Sequence, residues 1–249
     1  MKRITQFAVL AAVLVAGAGR SCTAADYFIP GLWNSFFSAN FSTASDGDAL
    51  TDALATGGTW GEPALPDGCE AEVETDLDLR YLTFVTDNDN GIRFSPRVQN
   101  PASGKACLFR VRFNEAESFM TLPEDAKGGF TVISTNKVDG VDDVMFAGYA
   151  PKERQWLRLK LKSGAVAPAF NVWYDLATRY KTIDGVSYVS YFVKLPTGDY
   201  ERLFDDDDRY LFALPDGATL AMPGVMMRGA GRVGDFTGVG QKGGVLTIR

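Results

Sequence analysis

Five carboxylates alternate along one short stretch, Glu70, Glu72, Glu74, Asp76 and Asp78, with Val73, Leu77 and Leu79 at intervening positions. Successive side chains on a β-strand point to opposite faces, so this spacing puts the acids in one row. The chain has no histidine and three cysteines. That excludes a Ser-His-Asp triad, a Cys-His pair, imidazole-ligated zinc and every four-thiolate metal or iron–sulfur site. Carboxylates, lysine, tyrosine and a lone cysteine remain as groups for catalysis. A row of acids also serves as the solvated face of an outer strand, where charge discourages edge-to-edge pairing. Both uses stay open for Glu72 and Glu74.

Two further acidic runs bear on metal binding. Asp205, Asp206, Asp207 and Asp208 are adjacent, and carboxylate oxygens from one loop suit a Ca²⁺ ion, the one cofactor the sequence raises. Asp87-Asn88-Asp89-Asn90-Gly91 is a second oxygen-rich loop. It departs from the EF-hand pattern, with Thr86 at the first ligand position and Arg97 at the twelfth. Runs of this kind are more often plain solvated turns, and calcium at Asp205–Asp208 is the alternative reading.

Aromatic residues offer a different chemistry. Trp156 and Trp173 fall on strand faces opposite apolar stripes, and Asn171 and Asp175 share a stripe with Trp173. An aromatic platform with hydrogen-bonding neighbours can hold a pyranose ring, stacking on its apolar face while polar groups reach its hydroxyls. The alternative is that a loop or the N-terminal segment covers that face and buries both rings.

The elements that must position these residues read as strands. Period-2 alternation puts Cys107, Phe109, Val111 and Phe113 opposite Arg110 and Arg112. It likewise puts Leu157, Leu159 and Leu161 opposite Trp156, Arg158, Lys160 and Lys162. The pattern recurs over Ala169–Leu176 and Val186–Lys194. Shorter runs at Arg80–Val85, Phe130–Ser134, Val144–Tyr149, Tyr210–Leu214, Gly224–Met227 and Val245–Ile248 predict further strands. Asn90-Gly91, Asp139-Gly140 and Asp184-Gly185 are hairpin dipeptides. Helical periodicity is confined to Asp48–Leu54. Many strands without intervening helices predict an all-β fold, a two-sheet antiparallel β-sandwich in a single domain.

The first 25 residues read as a targeting segment. Lys2 and Arg3 precede the uncharged apolar stretch Phe7–Ala18, and Arg20 is followed by Ser21-Cys22-Thr23-Ala24-Ala25. That is the layout of a secretory signal peptide cleaved after Ala24 or Ala25, too short to span about 30 Å of hydrocarbon. A lipoprotein signal is the lesser alternative, because Gly19 and Arg20 stand before Cys22. The expected division is 1–25 signal peptide, 26–40 an N-terminal arm or edge strand, and 41–249 the β-sandwich. Cleavage removes Lys2, Arg3 and Arg20 from 25 basic residues, leaving 22 against 31 acidic, a net charge of −9. Such a surface repels phosphate backbones, so nucleic acid is not an expected partner. The mature chain carries no further apolar run of membrane length.

In an oxidising compartment Cys69 and Cys107 would remain as an even pair. A bridge between them would close a loop of 38 residues, worth roughly 3–4 kcal/mol by chain entropy. Two buried thiols that never meet are the other outcome.

Several segments together resemble concanavalin A-like, laminin G-like jelly-roll domains, which are common in secreted and surface proteins of bacteria. They are Asn40–Ser42, Asp46–Ala49 and Gly57–Trp60 at the start, and Gly91–Pro96, Gln155–Leu159, Phe170–Leu176 and Val189–Val193 in the middle. Met227–Phe236 stands at the end. The resemblance covers about Phe41 to Thr247 and implies a jelly roll. It further implies a secreted, periplasmic or cell-surface module, non-catalytic and binding carbohydrate or another cell-surface component. Rim calcium sites occur in that class. So do laminarinase-type glycosidases, whose acids follow E-x-D-x-x-E on one strand. Glu72-Val73-Glu74-Thr75-Asp76 is similar, but Glu74 takes the aspartate position and Leu77 the final acid position. A glycoside hydrolase or lyase using Glu72 and Glu74 is therefore the rival expectation, and a structural envelope protein without a small ligand is a third.

Overall fold

The computed structural model describes residues 27–28, 33–39, 41, 44–48, 55–56, 58–60, 69–76, 79–86, 92–94, 96–98, 106–115, 119–122, 128–138, 141–216 and 225–241. Within them the protein is all-β and antiparallel, with no helix. The early strands are β1 (Tyr27–Phe28), β2 (Trp33–Ala39), β3 (Ala55–Thr56), β4 (Gly58–Trp60), β5 (Cys69–Asp76) and β6 (Leu79–Thr86). Next come β7 (Ile92–Phe94), β8 (Pro96–Val98), β9 (Ala106–Phe113), β10 (Phe119–Leu122), β11 (Gly128–Val138) and β12 (Val141–Ala150). The chain continues with β13 (Gln155–Leu161), β14 (Tyr174–Ile183), β15 (Val186–Lys194), β16 (Tyr200–Phe204), β17 (Phe212–Ala213), β18 (Val225–Arg228) and β19 (Ala230–Gln241).

One run of pairings reads β5–β6–β19–β9–β14–β15–β16. A second reads β7–β18–β10–β11–β12–β13. They join where Lys160 and Leu161 of β13 pair with Phe204 and Leu203 of β16. The last long strand is the central one. β19 bonds along one edge to β9, and its other edge is shared by β6 and then β2.

Alternation decides which side chains meet. Phe109, Val111, Leu176, Tyr180, Val189, Tyr191 and Val193 of the first run share one cluster with Phe146, Ala150, Leu159 and Leu161 of the second. Tyr191 of β15 is fully buried, and its hydroxyl donates to the Tyr149 carbonyl on β12 at 2.6 Å. Gly148 makes this approach possible, because a Cβ there would stand 2.6 Å from Leu159 Cδ1 and 2.7 Å from Tyr191 Cε2.

The opposite face of β9–β14–β15 has its own small cluster: Phe28, Ala106, Ala177, Phe192, Tyr200 and Val239, flanked by Trp33 and Leu108. The N-terminal segment supplies its cover. β1 pairs with β16 and β2 with β19, and the rings of Phe28 and Trp33 meet edge-on at 4.8 Å. Burying a ring of this size contributes roughly 1.5–3 kcal/mol, which explains apolar residues on a face that alternation alone would leave to water.

Three expectations are corrected. The strand expected over Ala169–Leu176 begins only at Tyr174 and runs on to Ile183. Asn171 stands at φ 60°, in the left-handed region, and the Tyr174 hydroxyl accepts the Ala169 N–H at 2.8 Å and so holds the preceding loop. Cys69 and Cys107 are not bridged. Ala71, Phe84, Gly231 and Phe113 form one cross-strand row. Cys69 lies two residues to one side of that row on β5, and Cys107 lies six residues to the other side on β9. With strands about 4.8 Å apart and about 3.4 Å rise per residue, their separation far exceeds the roughly 7 Å Cα limit of a disulfide. The four-aspartate run does not gather around a cation site, as its surroundings below explain.

Other expectations lie outside the described residues. These are the targeting segment, most of Asp48–Leu54, the loop Asp87–Gly91, the dipeptide Asp139-Gly140 and the run Val245–Ile248. The third dipeptide, Asp184-Gly185, turns with φ of 50° and 81°, the signs a tight hairpin requires.

Candidate functional site

The outward face of the first run collects polar side chains in two cross-strand rows. In one, Glu72 lies opposite Thr83, Thr83 opposite Arg232, and Arg232 opposite Arg112. Trp173 extends this row, one residue before Tyr174, which pairs with Val111. In the other, Glu74 lies opposite Tyr81, Arg110 opposite Asp175, and Lys194 opposite Tyr200. Gly234 sits beside the Arg110 stem, where a Cβ would come within 3.2 Å.

Asp175 is the electrostatic centre of the second row. Arg110 donates to it through Nε at 2.7 Å and through a terminal nitrogen at 3.1 Å, and Lys194 Nζ stands at 3.4 Å. Burial alone would push the Asp175 carboxyl up. The Arg110 hydrogen bond and charge, with Lys194, outweigh it and hold the carboxyl below its ordinary value of 3.8. The same hydrogen bond raises Arg110. The Tyr200 phenol is pushed up by burial and by the nearby Asp175 charge.

A carboxyl held low contributes stability that is present above its unfolded pKa and lost as pH falls through the native value. Asp175→Asn should therefore lower stability at pH 7 by about 1 kcal/mol, given the partial exposure of both partners. It should also flatten the decline in Tm below about pH 4, the acid side of the ordinary aspartate value. Thermal melts from pH 2 to 7 check this; parallel curves for both proteins would contradict it.

Beside the pair lies an open depression of about 310 Å³, lined by Leu108, Arg110, Asp175, Lys194, Tyr200, Asp235 and Thr237 among others. Trp173 borders the same face, partly buried with its ring tilted against Tyr81 at 5.7 Å. Asn171 accepts from Arg112 at 3.2 Å through its side-chain oxygen, and its N–H donates to the Phe113 carbonyl at 2.8 Å. Three of the four expected ligand-binding residues, Trp173, Asn171 and Asp175, are thus gathered on one surface. Trp156 is not. It packs edge-on against Tyr149 at 5.5 Å on β13, which among the described strand pairings is linked to β14 through β16 and β15.

The acidic row borders the same surface. Glu72 is exposed at its margin, while Glu74 accepts from the Tyr81 hydroxyl at 3.3 Å and lies 3.8 Å from an Arg232 nitrogen. Arg232 also stands over the Tyr81 ring at 4.5 Å. The arginines on this surface have no signature of their own in the sequence. Arg110 and Arg112 are visible there only as the solvent side of an alternating strand, and nothing local assigns them Asp175 and Asn171 as partners.

The aspartate run is engaged elsewhere. Asp205 is buried and accepts the Arg209 backbone N–H at 2.7 Å and its guanidinium at 2.7 and 2.9 Å. Asp206 lies 3.1 Å from Lys160, Asp208 2.9 Å from Lys162, and Asp207 3.6 Å from Arg209. The four carboxylates are shared among three cations, Arg209 taking Asp205 and Asp207, rather than converging on a common point. Among the described residues no cluster of three or more Cys, Asp or Glu is placed to hold a metal, and no helix is long and apolar enough to cross a membrane. In comparisons with known proteins, no family model and no curated protein matches this chain.

Proposed function

We propose that this protein is a secreted, non-catalytic binding module for carbohydrate, built as a concanavalin A-like, laminin G-like jelly-roll β-sandwich and acting in the periplasm or at the cell surface. The main core cluster, shared by two runs of antiparallel strands, supports the architecture. The basic, apolar and small-residue layout of residues 1–25 supports export.

One observation carries the ligand class. Trp173, against Tyr81, and Asn171, against Arg112, lie on the same sheet face as the Arg110–Asp175–Lys194 group, which lines an open depression there. The exposed part of the Trp173 ring takes the apolar face of a pyranose, and the charged group supplies donors and acceptors for its hydroxyls. The low carboxyl of Asp175 keeps it an acceptor throughout the physiological range. Glu74 is engaged by the Tyr81 hydroxyl at 3.3 Å and by an Arg232 nitrogen at 3.8 Å.

A glycan array probed with the wild-type chain tests the proposal, with a reducing-end assay on every glycan that binds. Binding without release of reducing ends is expected, unchanged in Glu72→Gln and Glu74→Gln. Turnover abolished by either substitution would establish a hydrolase instead. An array without any binding would leave the structural envelope role.

A further inference from the structure

Arg232 and Arg112 face each other in register across β19 and β9. Like charges placed directly opposite on one sheet face are destabilising unless something anionic sits over them. Arg232 has Glu74 at 3.8 Å. Arg112 has no carboxylate partner among the described residues; its side-chain bond goes to the neutral Asn171 oxygen at 3.2 Å. Its Nε is removed from solvent without a hydrogen-bond partner, and so is Thr83 Oγ1 in the same row. Unmade bonds of buried donors are costly, and this row carries two of them. At the end of the row stands Trp173, one position before the Tyr174–Val111 pair.

From this juxtaposition we infer that the ligand is an acidic glycan, whose carboxylate or sulfate group is held by Arg112 with Arg232 beside it while its sugar ring rests on Trp173. The inference rests on the glycan-binding function proposed above and narrows it to a class. Guanidinium groups match the planar, two-oxygen geometry of carboxylates and sulfates, which lysine does not. The net negative charge of the whole chain disfavours polyanions in general, so selectivity for an acidic sugar has to come from this local row.

The test titrates the wild-type chain with two matched pairs: polygalacturonate against its methyl-esterified form, and κ-carrageenan against agarose. The first pair reports on carboxylate, the second on sulfate ester. At least one acidic form should bind about tenfold or more tightly than its neutral counterpart, with the preference shrinking as salt is raised. Arg112→Gln should lower affinity for the acidic form much more than for the neutral form and so erase the preference, while Trp173→Ala should weaken acidic and neutral forms alike. Arg112→Lys, which keeps the charge but loses the fork, should recover only part of it and serves if the glutamine variant does not fold. Equal binding of acidic and neutral forms, still lost in Trp173→Ala, overturns the acidic class and leaves glycan binding standing. Binding to none of the four, together with an array on which nothing binds, overturns both.

Discussion

Tyr191→Ala is expected to cost about 3–5 kcal/mol of folding stability, the range for emptying a fully buried aromatic site. In a chain of this length that lowers Tm by about 6–20 °C. Tyr191 has no solvent exposure, its ring lies 6.0 Å from Phe212, and its hydroxyl satisfies the Tyr149 carbonyl across the gap between β15 and β12. The substitution thus opens a cavity and leaves an acceptor unpaired, and both losses fall on the contact joining the two runs of strands. Tyr191→Phe separates them: it keeps the ring and should lose only about 1–2 kcal/mol, the cost of the orphaned carbonyl. Chemical denaturation of the three proteins measures both. A cost below about 1 kcal/mol for the alanine variant would mean that β12 does not pack on β15.

Gly148→Val tests the same contact from the other side. Even a Cβ at this position meets Leu159 and Tyr191 atoms below 3 Å, so valine forces the strands apart or drives both side chains off their rotamers. Overpacking of this kind costs about 1–3 kcal/mol. Because the Tyr191 ring supplies part of the collision, Gly148→Ala should cost less in a Tyr191→Ala background than in the wild type, a coupling that contacting residues show and distant ones do not. Additive costs would contradict the face-to-face approach.

Much of this fold is legible in the sequence, for a physical reason. Over Cys107–Phe113 of β9 and Leu157–Leu161 of β13 the chain alternates because one face is more deeply buried than the other, and a period of two survives that asymmetry. Legibility fails where tertiary structure adds a second demand. β14 carries Ala177 facing the N-terminal arm and Leu176 facing the core, so apolarity marks both faces and its start cannot be read. The left-handed turn at Asn171 and the Tyr174 hydroxyl bonds move that start to Tyr174, and only packing reveals them.

The candidate site divides along the same line. Trp173, Asn171 and Asp175 are close in sequence and could be grouped from it. Arg110, Arg112, Arg232, Tyr81 and Lys194 join them through strand pairing alone, with 65 residues separating Arg110 from Asp175. Cys69 and Cys107 make the converse point: an even count and a plausible loop length say nothing about register, and register puts them at opposite ends of a four-strand span. The aspartate run illustrates a third limit. Its ligand-type composition is visible, while Lys160, Lys162 and Arg209, which neutralise it, come largely from another strand.

The central claim is that the surface around Trp173 binds glycan. Calorimetric titration of one array-selected glycan into wild-type, Trp173→Ala and Trp156→Ala proteins tests it most directly, with thermal melts of each as the fold control. Trp173→Ala should lose about 1–3 kcal/mol of binding, roughly 5- to 150-fold in affinity, and remain folded, while Trp156→Ala binds as the wild type does. Loss of binding in Trp156→Ala with Trp173→Ala unaffected would place the ligand on the wrong strand for this account and contradict it.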